Sequence, residues 1–245
     1  MSLLAKVKKI LLESDYTKTP EFKKWFGKSV LKNSDGSPMH FYHGTDKDFS
    51  SFSNDFIGNG NDSYGSGFYF TNRPDIASNY SSNKDNSENS HPNVMKVHLR
   101  AETPIDKDDD RPLQRSHIQK IITSAPNHRE SLENHGDISY EGYNKVLKNA
   151  VDAYANIPKY NAMGALHNDF YGSNVGAFLN NFKKITGHDS VIVNHDNHSI
   201  VNIFHPSQIK SAIGNNGKFS SDSNNITESI DLYHGTNNDF TDFFS

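Results

Sequence analysis

Apolar positions recur along this chain with two different periods, and the changes of period mark out its elements. Over residues 2–13, Leu3, Leu4, Val7, Ile10 and Leu11 fall on one helical face with lysines opposite, which predicts a small capping helix. Thr19 and Pro20 supply an N-cap and a first helical residue for a second short helix, in which Phe22, Trp25 and Phe26 are apolar and Trp25 is the expected core anchor. The polar NSDGSP run at residues 33–38 is turn chemistry. It delivers the chain into an extended run, Met39 and Phe41, that ends at His43. Residues 68–71 alternate as a strand, with Tyr69 on the face opposite Phe68 and Phe70. Asn72, Pro74 and Asp75 then start a helix that carries Tyr80 back towards that strand. Residues 94–100 alternate again. Helical spacing returns over 113–123, 141–154 and 175–186, which predicts a helical insert against the sheet, while 160–171 fits either type. Strand character closes the pattern at 190–194 and 200–204, around a hairpin tip at 195–199.

Between these elements lie stretches that can bury little. Residues 53–64, rich in Asn, Asp, Ser and Gly, suit a flap over a site. Residues 81–93 read as a flexible excursion, 107–112 as a charged surface turn and 220–225 as a linker. The expected organisation is an N-terminal helix or propeptide at 1–18, one α+β domain at 19–219, and a linker with a truncated repeat at 220–245. The repeat is visible directly: LYHGTNNDFTDFF at 232–244 echoes FYHGTDKDFSSFS at 41–53. The second copy is followed by none of the partners that the first one has.

Composition narrows the function classes. At 245 residues the chain can bury one substantial core. A net charge of −4 and a pI near 6.3 speak against phosphate-backbone binding, so nucleic acid is demoted as a partner. The absence of cysteine excludes disulfides and thiolate metal sites, and suits a reducing compartment. No apolar run approaches the roughly 20 residues of a membrane span, and no signal-cleavage pattern is evident, so a soluble, intracellular protein is expected. NHDNH at 194–198 offers two imidazoles and a carboxylate but no third placed ligand, and a solvated tip without metal is the expectation.

The chemistry concentrates in two blocks, YHGT at 42–45 and GSGFYFTNRPDIASNY at 65–80. His43 ends a strand beside Gly44, whose backbone no Cβ shields from a ligand. Tyr69 and Tyr80 sit on converging elements and can clamp a flat ring. The blocks suggest a nucleotide pocket.

HG(S/T), then G-x-G-x-Y-F, then a Tyr eleven residues beyond the first resembles the nicotinamide pocket of ADP-ribosyltransferases of the poly(ADP-ribose) polymerase and diphtheria-toxin branch. The likeness is greatest to such domains in phage polyvalent proteins, and it extends to FKKWFGKSVLKNSDGSP at 22–38 and IFHPSQIKSAIGNNGKF at 203–219. It implies a split-sheet core and NAD as substrate, with no metal. His43 would bond the adenosine ribose and Gly44 the carboxamide, beside Thr45. Tyr80 would stack on nicotinamide and Tyr69 would wall the ribose side. The carboxamide-binding Ser of the family falls on Ala77. The Glu that begins the final strand of the poly-transferring members falls, counting back from Gln208, on Ile200, which can neither accept a hydroxyl hydrogen bond nor act as a base. Asn202 is the alternative if the strand bulges. The His-Tyr-Ile arrangement implies a mono-ADP-ribosyltransferase acting on a host macromolecule, with a host protein as the expected target. The alternative is an inactive NAD-pocket domain kept as a binding or structural virion component. Leu11-Leu12-Glu13 and Ile226-Thr227-Glu228 resemble prohead-protease sites, implying cleavage after Glu13 and Glu228, packaging in the virion and action in the host cytoplasm.

Overall fold

The computed structural model describes residues 16–47, 49–57, 64–81, 93–133, 136, 139, 142–213, 215 and 219–227. The capping helix at 2–13, the cleavage sites after Glu13 and Glu228, and the YHGT echo lie outside the described residues.

Seven strands form the sheet: β1 (Phe41–Thr45), β2 (Phe68–Thr71), β3 (Asn93–Leu99), β4 (Pro104–Asp106), β5 (Ser190–Asn194), β6 (Ser199–Ile203) and β7 (Ile209–Ser211). Their order is β4-β5-β6-β2-β1-β3-β7, antiparallel except for the β4–β5 pair. The expected α+β class holds, and the sheet runs as one continuous ladder. The helices are α1 (Pro20–Phe26), α2 (Pro74–Ser81), α3 (Arg115–Thr123), α4 (His128–Glu133), α5 (Tyr143–Tyr154), α6 (Lys159–Phe170) and α7 (Val175–Thr186). The ambiguous 160–171 stretch is thus helical. Its buried residues are Ala162, Met163, Leu166 and Phe170, close to one helical stripe, while Gly164 dilutes the sequence signal.

The insert supplies the main core. Phe68, Phe70, Val201, Ile203, Val191 and Val193 from the sheet join Ile118, Ile121, Leu166, Phe178 and Phe182 from the helices in one buried cluster. Apolar burial on this scale is what stabilises the insert, whose short helices would be marginal alone.

A second cluster holds the far end. Phe22, Trp25, Phe26 and Phe219 pack together with Tyr16 against them. Thr19 Oγ1 accepts from the Phe22 amide at 3.2 Å, as the N-cap reading requires. The indole of Trp25 donates to the Ser207 carbonyl at 3.0 Å, so the first and last sequence blocks meet directly. Gln208 is wholly buried beside this junction. Its Nε2 donates to the Arg100 carbonyl at 2.6 Å and the Asp189 carbonyl at 3.2 Å, while its Oε1 accepts from the His205 amide at 3.0 Å. One side chain thereby ties the ends of β3, β5 and β6.

The polar residues from Ser220 onward lead into a docked segment. Ile226 is 4 % exposed, its amide donates to the Ser50 carbonyl, and its carbonyl accepts from Ser211. The buried Lys210 ammonium donates to the carbonyls of Ser223 and Asn225, both at 2.9 Å. Residues 223–226 therefore bridge β7 and the loop after β1.

Candidate functional site

Register decides which side chains can meet. Tyr42 opposes Thr71, Thr71 opposes Ile200, and Tyr69 opposes Asn202. With side chains alternating, Tyr42, Gly44, Tyr69, Thr71, Ile200 and Asn202 share one face, and His43 falls on the other with Phe68 and Phe70.

Helix α2 lies on the first face, against β1, β2 and β3. A Cβ built on Gly44 would sit 1.8 Å from the Ala77 carbonyl oxygen, so only glycine admits the helix at this depth. Ala77 is buried there, and Tyr80, one turn further on, is 70 % exposed. Gly44, Ala77, Tyr80, Tyr69 and Ile200 are in this way brought to one side of the sheet.

Tyr69 does more than wall a pocket. Its hydroxyl donates to the Gly65 carbonyl and accepts from the Tyr64 amide, the latter at 3.1 Å, so the loop before β2 folds back over its own strand. Asn202 reinforces the fold-back. It is wholly buried, and its Nδ2 donates to the carbonyls of Tyr64, Gly65 and Ser66 at 3.2, 2.9 and 3.2 Å. Gly67, at φ 149°, makes room for this side chain, since a Cβ there would lie 1.7 Å from Asn202 Oδ1. Asn202 is thus a clamp on the 64–66 loop, with its amide spent on three carbonyls. Ile200 packs partly buried against the main core.

His43 stands among Phe49, Phe52 and Phe70, with ring centroids 6.3, 5.1 and 5.4 Å away. Its Nδ1 lies 2.9 Å from the Tyr69 carbonyl. A carbonyl only accepts, so Nδ1 carries the hydrogen and Nε2 presents a lone pair. Burial lowers the imidazole pKa from its ordinary value, against the opposing pull of that hydrogen bond, which keeps the ring neutral at pH 7. The two residues expected to clamp a ligand together are therefore joined through the Tyr69 backbone, with their side chains on opposite faces. Thr45 is nearly buried and its Oγ1 accepts from the Lys47 amide at 3.1 Å, an ST-turn role.

Two features carry no sequence signal. Tyr64 reaches the hairpin tip, its hydroxyl 3.4 Å from His195 Nε2, while the His195 and His198 rings stack at 4.4 Å. A cavity of about 500 Å³ also opens beside Tyr64–Ser66, walled by α6 and α7. Only the fold brings such distant segments together. Among the described residues no group of three or more His, Asp or Glu side chains gathers as a metal site.

A mixed sheet whose HG strand is capped by a tyrosine-bearing helix, with a helical insert packed into the same core, makes this an ADP-ribosyltransferase-like domain. The family model described as ADP-ribosyltransferase in polyvalent proteins matches residues 33–219, and the chain belongs to that family. Domains of this kind use NAD as substrate. No curated protein and no solved structure is matched by the chain. No helix among the described residues is long and apolar enough to cross a membrane.

Proposed function

We propose that the domain transfers single ADP-ribose units from NAD to a host protein, as a phage-encoded effector carried in the virion and active in the host cytoplasm. The carrying observation is the seating of α2 on Gly44, where a Cβ would meet the Ala77 carbonyl at 1.8 Å. That contact brings Tyr80, 70 % exposed, to the same side of the sheet as the Gly44 backbone and Tyr69. A ring so placed suits stacking on nicotinamide.

In this reading NAD is held by the Gly44 backbone and Tyr80, while His43, across the sheet, holds the Tyr69 backbone from behind through Nδ1. The nicotinamide–ribose bond breaks with its electron pair leaving on nicotinamide, and the acceptor attacks the resulting oxocarbenium-like carbon. Positioning of leaving group and acceptor supplies most of the rate. Ile200 offers nothing to activate a ribose hydroxyl as the next acceptor, which favours single transfer over chain growth.

A second reading, an inactive NAD-binding domain, draws support from Asn202, whose buried amide is committed to the 64–66 loop and cannot replace the missing carboxylate. Host lysate incubated with labelled NAD separates the two. Label on specific proteins with wild type, lost with His43→Ala and Tyr69→Ala, supports the transferase. Bound NAD with neither label transfer nor nicotinamide release would leave the second reading standing.

A further inference from the structure

The loop held by Tyr69 and Asn202 also walls the cavity of about 500 Å³, a size ordinary for small-molecule sites. Its inner surface is mostly apolar, from the buried Ile57, Met163, Val175 and Phe178, with the buried Ser66 hydroxyl, 3.4 Å from His167 Nδ1, as a polar point. Its outer residues are polar and exposed, with Asn161, Asn168 and Ser173 able to donate and accept at the mouth. Tyr64 and Tyr160, from the loop and from α6, add two rings. Among the described residues no Asp, Glu, Lys or Arg lines it, and burial lowers the pKa of His167, the one imidazole among them, so these residues are uncharged at neutral pH. Gly164 adds a further hint. Glycine is a poor helix former, yet a Cβ at this interior position of α6 would meet nothing within 4 Å, so its absence serves no packing contact and enlarges the cavity instead.

An uncharged lining disfavours phosphates, carboxylates and amines, which would enter without a countercharge. A plain hydrocarbon ring would leave the amides at the mouth unmatched. We propose that this cavity binds an uncharged heteroaromatic ring of nucleobase type, at a site separate from the Gly44–Tyr80 face. The apolar interior and the two tyrosines receive the flat surface of the ring, and the amides of Asn161 and Asn168 with the Ser66 hydroxyl meet its polar edge. The inference stands on the cavity alone and does not require the Gly44–Tyr80 site to bind NAD.

Calorimetric titration of the full chain with adenosine, guanosine, cytidine and uridine, none of which carries a charge, tests it. At least one nucleoside should bind wild type. Gly164→Leu, which fills the open space, should weaken that binding tenfold or more while leaving the melting temperature unchanged or raised. Asn168→Leu, at an exposed position, should weaken it several-fold, and this variant decides the matter should Gly164→Leu fail to fold. Tyr80→Ala should leave nucleoside binding unchanged, and NAD titrated in the same series reports separately on the Gly44–Tyr80 site. The proposal is overturned by the absence of nucleoside binding. It is equally overturned by binding that survives both cavity variants, or that Tyr80→Ala abolishes.

Discussion

Replacing Gly44 by Ala adds one methyl group where the chain has no room for it. The new Cβ would stand 1.8 Å from the Ala77 carbonyl oxygen and 2.8 Å from its carbon, both far inside van der Waals contact. Backbone of a packed helix cannot swing aside like a side chain, so α2 must retreat from β1 by about 1 Å or more, at a cost of about 1–3 kcal/mol. For a domain of this size that lowers the melting temperature by about 3–10 °C. The same chemical change at Gly164 supplies the control. There the added Cβ meets nothing within 4 Å, and the gain in helix propensity should stabilise by about 1 kcal/mol and raise the melting temperature by about 2–4 °C. Calorimetric melts of the two variants should thus move in opposite directions, and NAD affinity should drop about tenfold in Gly44→Ala alone, because α2 carries Tyr80. A Gly44→Ala protein that melts like wild type and binds NAD equally well would refute the reasoning.

Three further outcomes follow from the site. Asn202→Asp removes the donors that three loop carbonyls share and sets a negative charge against them, costing about 3 kcal/mol and lowering activity. Higher turnover instead would show that residue 202 faces the reacting carbon. Ile200→Glu returns a carboxylate to the family's slot at a partly exposed position, and nicotinamide release should rise tenfold or more, while an unchanged rate would show that this slot does not adjoin the reacting ribose. Stability should also decline in acid. Burial first, then the Lys183 charge, push the His205 imidazole from 6.5 to about 4, and burial lowers His43, His167 and His188 too. The unfolded chain takes up these protons first, so stability is fully present above about pH 6.5 and falls as pH drops towards 4. For the half-buried His205 the loss is about 1–2 kcal/mol once solvent screening is allowed for. Urea midpoints at about pH 7.5 and about pH 4.5 should differ less in His205→Gln than in wild type.

Periodicity made most of the elements legible. The strand at 190–194 and the helix at 175–186 stand where the spacing puts them, because each buries one regular stripe. Three-residue β4 and β7 escape, since so short a run has no measurable period, and only pairing with β5 and β3 defines them. The site was legible as a set of residues and not as an arrangement. YHGT and GSGFYF show which groups are present, but the side of the sheet each one takes depends on register with β6, a partner about 130 residues away. That is why His43 and Tyr69 part company across the sheet and why Asn202 turns out to hold a loop. Gln208 had served only to count back to Ile200, although three hydrogen bonds make it the junction of three strands.

The most direct test of the NAD face is the affinity of the Tyr80→Ala variant. Tyr80 is 70 % exposed, so its removal should leave the melting temperature unchanged, while the lost stacking should weaken NAD binding about tenfold, from about 1.4 kcal/mol. Unaltered NAD affinity in a folded Tyr80→Ala protein would contradict the account, because the ring would then have no part in holding nicotinamide.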